Sequence, residues 1–429
     1  MRDHKQITLH SVEGFKTQLL AWAQQFEDIV WLDSNQYLQP HSSYDSILAV
    51  DAFTGIQTDA LNGFQKLKEY QSMTNDWIFG YLSYDLKNDT EPLRSQNFDG
   101  LDFPDLCFFQ PKRLFLFKED KLTIRYLNVV SKEVDADLKS IETFSLQNSS
   151  SHKYNIQIES RISKNQYIKQ VSTLLSHIHR GDIYEANFCQ EFYAHADINS
   201  LETYFKLNKI SQPPFATFLK MGDKFLLSSS PERYLKKVGL EIMSQPIKGT
   251  IRRSEHFKED ADLKMILESD PKERSENIMI VDLVRNDLSK IAQKGTVNVT
   301  ELCQIYSFKQ VHHMISTVQA MALPTISPVD IIAATFPMGS MTGAPKISAM
   351  KIIEALEASK RGLYSGTVGY FTPEGDFDFN VVIRSILYNA SKSYVSFSVG
   401  SAITSKSTPE NEYEECLVKA KAMRSVLEN

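Results

Sequence analysis

Cysteine is scarce in this chain: Cys107, Cys189, Cys303 and Cys416 are the 4 among 429 residues. No two form a Cys-x-x-Cys pair, which argues against a disulfide framework or a zinc site and for reduced thiols in a cytoplasmic protein. No run approaches the roughly 18 apolar residues that a membrane span needs. The opening Met1-Arg2-Asp3-His4-Lys5 leads into no apolar stretch of the secretory kind. Positive charge is not in excess either. The net charge of -6 leaves no general basic field to hold nucleic acid. Internal repeats and low-complexity tracts are also missing. What is present is ordinary for a water-soluble globular protein, with 42% hydrophobic and 23% charged residues. The length calls for one large domain or two.

Residues 1 to about 145 read as mixed short strands and helices, with Leu114 to Phe117 and the alternating Lys121 to Tyr126 as strands. Ser145 to His152 is polar and aperiodic, which predicts a boundary between an N-terminal region, 1–150, and a second region, 151–429. The second region opens with an amphipathic helix through Tyr167, Val171, Leu174 and Ile178 that Gly181 ends. Further helices are predicted from about Asp270 to Lys294, stopped by Gly295; from Pro345 as the first helical residue; and from Pro409, with Ser407 and Glu410 as a capping box. Strands are predicted at Ile183 to Phe192, Ala216 to Met221, Lys224 to Ser228, Gly366 to Phe371, Phe377 to Tyr388 and Tyr394 to Val399. Runs of strands with segregated helices indicate α+β.

Three clusters could carry chemistry. Arg233 to Lys237 and Leu240 to Gln245 read as a hairpin, whose antiparallel return places Ser230-Pro231-Glu232 beside Pro246-Ile247-Lys248. An acid and an amine would then meet at one edge, as a salt bridge or as a proton donor beside a nucleophile. An unperturbed lysine is neutral about once in 2,500 molecules at pH 7, so attack by Lys248 would require a lowered pKa. Next, Glu273 and Glu276 share one helical face, as do Glu412 and Glu415. They either complement the helix dipoles or hold Mg²⁺, which accepts one or two protein carboxylates beside water and an anionic substrate. Last, the glycine-containing Phe336 to Lys346 loop enters a helix N-terminus, either as a structural turn or as an anion site. Its spacing is not that of a Walker loop. His313, in an apolar strand-like stretch, fits a structural histidine as readily as a functional one. Arg384, in an otherwise apolar strand, calls for a carboxylate from protein or ligand.

Ser230-Pro231-Glu232-Arg233, Pro246-Ile247-Lys248-Gly249-Thr250, Glu276 to Asp287, Gly339 to Lys346 and Glu412-Tyr413-Glu414-Glu415 follow one another in an order that resembles the chorismate-utilising enzymes. That family includes anthranilate, isochorismate and salicylate synthases and aminodeoxychorismate synthase component I. The likeness covers about residues 155 to 429, and Gly80 to Lys87 with Phe109-Gln110-Pro111 resemble the N-terminal half of the last member. It implies a two-layer β-sandwich flanked by helices, with chorismate bound between the layers. It implies that Glu276 and Glu415 hold Mg²⁺ against the ring carboxylate, with Glu412 behind them. Glu232 corresponds to the acid that protonates the departing 4-hydroxyl, and His313 and Ser340 to residues near the ring carboxylate. Thr250, Tyr364, Arg384 and Gly400 fall at substrate-binding positions, the last three at the pyruvyl carboxylate.

Within the family, alanine is usual where Lys248 stands, and the lysine form resembles the aminodeoxychorismate synthases. The resemblance then implies attack of Lys248 on C2 of chorismate, loss of the 4-hydroxyl, and displacement of the lysine by ammonia at C4, on the route to 4-aminobenzoate and folate. Glu185 falls where water-adding relatives carry a lysine, which argues against water as the nucleophile. Ile251-Arg252 and Gly400-Ser401-Ala402 depart from the usual Arg-Pro and Gly-Ala-Gly. No Cys-His-Glu glutaminase unit accompanies the likeness, so ammonia is expected from a glutamine amidotransferase partner. Leu32-Asp33-Ser34 lies in a part similar to the tryptophan-binding region of anthranilate synthases. The rival expectations are anthranilate synthase component I, which Lys248 opposes, and a non-catalytic chorismate-binding partner of an amidotransferase.

Overall fold

The computed structural model describes residues 2–37, 41–144 and 156–428, so the polar 145–152 stretch lies outside the described residues. Alternation along the strands explains the architecture. In Asp28–Asp33, Val30 enters one hydrophobic core while Ile29 and Trp31 enter another. In Ser46–Thr58, Ile47 and Ala49 oppose Leu48 and Val50 in the same way. Successive strand side chains point to opposite faces, so each strand serves two cores. One core gathers aromatic residues from several strands, including Phe79, Phe108, Phe371 and Phe379. The other seats helices, through Val171 and Leu174 of Lys164–Arg180 and Ala420 and Met423 of Pro409–Glu428.

The predicted α+β sandwich flanked by helices holds. Its strands are hydrogen-bonded into one continuous network of 20 strands among the described residues. Two ladders join the first 150 residues to the rest. Asp28–Asp33 pairs with Phe215–Met221, and Ile78–Leu82 pairs with Thr367–Phe371. No helix among the described residues is long and apolar enough to cross a membrane.

Helix signals were mostly legible. Ser163 and Gln166 form a capping box at the start of Lys164–Arg180, and Gly181, at φ 86°, ends it. Four expectations need correction. The acidic helix runs Pro271–Ser289 and stops well short of Gly295, because Lys290 and Ile291 turn back onto Asp287 and Leu288. Pro345 is the N-cap of Lys346–Leu356 with extended backbone, one position before the expected N1. Ser407 builds no capping box, since its hydroxyl accepts from the Thr404 N–H instead. The strand expected from Phe377 to Tyr388 is two strands, Phe377–Asn380 and Ser385–Asn389. Arg384, at φ 52°, sits in the break between them.

Candidate active site

The hairpin forms as expected, with Arg233 opposite Gln245. It brings Glu232 to the backbone N–H of Ile247, one residue before Lys248. Lys248 lies on the strand Ile247–Arg252, which pairs with Val311–Met321. Gly249 follows at φ 98°, in the left-handed region, and a Cβ there would press on Met314 and Glu273. Asn277, fully buried on the Pro271–Ser289 helix, donates to the carbonyls of Lys248 (3.3 Å) and Met314 (3.2 Å). The backbone that carries Lys248 is thus fixed from two sides.

The ion-pair partner of Lys248 is Glu185, not Glu232 as the hairpin argument suggested. Lys248 Nζ donates to Glu185 Oε1 at 2.9 Å, between side chains 15% and 2% exposed. Glu185 Oε2 is buried with no hydrogen-bond partner. Burial works to lower the Lys248 pKa, but Glu185, Glu276 and Glu415 outweigh it and push it up to about 12. The lysine therefore rests protonated. Glu232 shows the opposite balance. Burial raises its carboxyl to about 7 against the Ser340 hydroxyl, the Ile247 N–H and the Lys248 charge. A carboxylic acid poised near neutrality can give up a proton at physiological pH.

The first two turns of Pro271–Ser289 and Pro409–Glu428 supply the acidic residues. Lys272 feels Glu276, Glu412, Glu273 and Glu415 together, so the two helix starts face one another. Burial pushes Glu276 up to about 7, with neighbouring Glu185 and Glu273 adding to it. Glu276 Oε1 and Glu412 Oε2 are buried without hydrogen-bond partners. Glu415 is more open and pairs with Lys419 at 2.6 Å, and its pKa lies below the ordinary value despite burial. No group of three or more His, Cys, Asp or Glu among the described residues is placed to hold a metal alone. Glu276, with one oxygen unpartnered, and the open Glu415 nonetheless fit Mg²⁺, which completes its shell with water and substrate oxygens, and Glu412 adds a second unpartnered oxygen behind them.

Of the predicted residues, Glu232 and Ser340 line one cavity and His313 and Arg384 another, while Thr250, Tyr364 and Gly400 line neither. Pro246, Asp287 and Gly339 also line the first, and Ser229, Pro231 and Phe308 the second. His313 Nδ1 shares a hydrogen bond with Thr250 Oγ1 at 2.8 Å. Burial, then Arg384, lowers the His313 pKa to about 3, so the ring is neutral. Arg384 has no carboxylate within salt-bridge distance among the described residues. Burial lowers its pKa, with Tyr364 and Glu415 opposing. A guanidinium so placed is suited to a ligand carboxylate. Tyr364 is buried, with Cys189 Sγ 3.8 Å from its hydroxyl. Gly400 lies opposite Cys189, and a Cβ there would meet Cys189 Sγ at 2.5 Å and Asn187 Oδ1 at 2.7 Å. Ser401 turns away, to within 3.3 Å of the Tyr167 hydroxyl.

Three positioning groups escaped sequence reasoning. Asn277 is one. Lys419 is another, bridging Glu415 and the Gly400 carbonyl at 2.9 Å. The third is a buried pair, in which Arg361 binds Glu357 at 2.6 Å and donates to the carbonyls of Met341 and Asn187. Only Asn277 lay inside a motif already singled out, and its neighbours there drew attention by their charge.

Fold and site together define a chorismate-binding enzyme scaffold. The chain belongs to the chorismate binding enzyme family, which matches residues 27–425. It is 34% identical over 381 residues to an aminodeoxychorismate synthase, chloroplastic, of Arabidopsis thaliana, covering 83% of this chain and 41% of that protein. It is 31% identical over 361 residues to the anthranilate synthase component 1 of Thermus thermophilus, covering 82% and 77%. The solved anthranilate synthase component I of Streptococcus pneumoniae TIGR4 superposes with a TM-score of 0.77 at 26% identity, covering 90% of this chain and 94% of that one. The chain spans less than half the length of its plant relatives.

Proposed function

We propose that this chain aminates chorismate at C4, giving 4-amino-4-deoxychorismate, with ammonia from a glutamine amidotransferase partner. The observation that carries the proposal is Lys248 itself, a nearly buried amine beside Glu185 and one residue from the backbone N–H that Glu232 engages. Lys248 Nζ bonds to C2 of chorismate as the 4-hydroxyl leaves C4, and Glu232 protonates that hydroxyl so that it departs as water. Ammonia then bonds to C4, the C2–Nζ bond breaks, and Glu232 takes back a proton from the new ammonium group. Splitting one difficult substitution into two is what a covalent nucleophile offers. Arg384 and Tyr364 receive the pyruvyl carboxylate, with the backbone of Gly400 beside it. His313, Thr250 and Ser340 line the ring side. Glu276 and Glu415 would hold Mg²⁺ with Glu412 in support, and the ion would neutralise the ring carboxylate. The N-terminal region, 1–150, buttresses the catalytic region, 151–429.

The test is a product assay. Purified protein with chorismate, Mg²⁺ and ammonium is expected to yield 4-amino-4-deoxychorismate, while glutamine without a glutaminase subunit yields none. Anthranilate as the product would overturn the assignment and favour the second reading, which the Thermus and Streptococcus similarities support. That reading requires loss of pyruvate after amination. Full activity in Lys248→Ala would overturn the covalent step.

A further inference from the structure

Lys248 presents a difficulty that the proposed reaction leaves open. The amine must attack as the free base, yet it rests as an ammonium among carboxylates. Some group has to remove one proton before attack, keep it while nitrogen is bonded to carbon, and return it afterwards. We infer that Glu185 is a catalytic residue that takes the Nζ proton of Lys248, holds it through the covalent stage and gives it back when the lysine leaves. This inference rests on the covalent reading of Lys248.

The geometry is specific. Glu185 Oε1 is 2.9 Å from Nζ, within direct proton-transfer distance. The Glu185 side chain is 2% exposed, so bulk water is not at hand to exchange the proton. Its other oxygen has no hydrogen-bond partner, leaving an acceptor site for a proton or for a reactant N–H. The strand that carries it allows no slack. Glu185 pairs with Thr404 on one side and Ala344 on the other, and Tyr184 and Asn187 donate to Ala344 and Thr342. Since a strand alternates, a slip of one residue would turn Glu185 outward. Ala186 and Phe188 face the helix-covered core, while Asn187 and Cys189 face the site with Glu185.

The proton count closes. Glu185 carboxylate and the Lys248 ammonium become a carboxylic acid and a free amine. The nitrogen lone pair forms the bond to C2, the ring double bonds shift, and the hydroxyl leaves C4 as water with the Glu232 proton. The adduct nitrogen is then a secondary ammonium. When ammonia bonds to C4, the C2–N bond breaks, its electron pair returns to nitrogen, and Lys248 departs as a neutral amine. Glu185 reprotonates it, and both residues are back at their starting charge.

A carboxylate next to a lysine also stabilises the charged, unreactive form, so two effects of Glu185 oppose each other. The experiment separates them. Glu185→Gln and Glu185→Asp are compared with the parent for chorismate binding by calorimetry, for kcat with ammonium, and for a chorismate-derived adduct on Lys248 by rapid-quench mass spectrometry. If Glu185 carries the proton, Glu185→Gln loses roughly 100-fold in kcat and in the rate of adduct formation, while chorismate affinity stays within threefold. Glu185→Asp, which keeps the acid, recovers part of the rate. A Glu185→Gln rate that holds or rises overturns the inference, because Glu185 then only keeps Lys248 charged. A parent protein that turns over without any adduct overturns the covalent reading, and this inference with it. The parent's adduct signal thus distinguishes the two failures.

Discussion

Glu232 keeps a share of its proton up to neutral pH because burial opposes its charge more strongly than Ser340, Ile247 N–H and Lys248 favour it. The folded value, about 7, lies above the ordinary 4.5, so the unfolded chain releases this proton first as pH rises. Stability from this group is complete below about pH 4.5 and falls through the window up to about 7, by about 3 kcal/mol in all. Glu232→Gln should therefore be more stable than the parent at pH 8 by roughly that amount. Urea titrations at pH 5 should show the gap reduced to under about 1 kcal/mol, and an equal gap at both pH values would contradict it. In the proposed reaction catalysis follows the same sign, because there the acid form of Glu232 protonates the departing hydroxyl. The hairpin made the place of Glu232 legible in the sequence. The Lys248–Glu185 contact was not, because the residues are 63 apart and meet only through long-range strand pairing.

At the scale of elements, the site depends on how one helix meets one strand. Asn277 satisfies two backbone carbonyls and accepts from the Ser316 hydroxyl and the Cys303 thiol in a buried interface. Asn277→Ala removes all four contacts and leaves buried polar groups unpaired, at about 1–3 kcal/mol. It should also lower kcat with ammonium by loosening the Lys248 strand. A urea midpoint unchanged from the parent would show that the interface tolerates the loss. Arg384 marks the limit of periodicity. Its apolar neighbours suggested an unbroken strand, but its left-handed backbone conformation interrupts the ladder and lets its carbonyl accept from Ser229 N–H at 3.1 Å. Helix ends were misjudged where a local turn intervened, as at Lys290 and Ser407.

Across the whole molecule, buried charge joins the N-terminal region to the site. Lys87 and Arg361 both lie over the Tyr84 ring, 4.7 Å and 4.5 Å from its centroid, and bind Asp85 and Glu357 respectively. Asp85 also accepts from Gly362 N–H at 2.9 Å, next to Arg361. Replacing Arg361 with Met would strand Glu357 as an uncompensated buried charge and cost about 3–5 kcal/mol by chemical denaturation. Adding Glu357→Leu should restore part of the loss, because the burial penalty disappears with the charge.

The two ladders that cross residue 150 carry a consequence for the fragments of this chain. Removing residues 2–144 would leave Phe215–Met221 and Thr367–Phe371 each lacking a neighbour, with rows of bare N–H and C=O groups. Such open edges recruit other strands, so the isolated C-terminal piece should self-associate. The missing segment, supplied as a separate polypeptide, is the natural competitor for those edges.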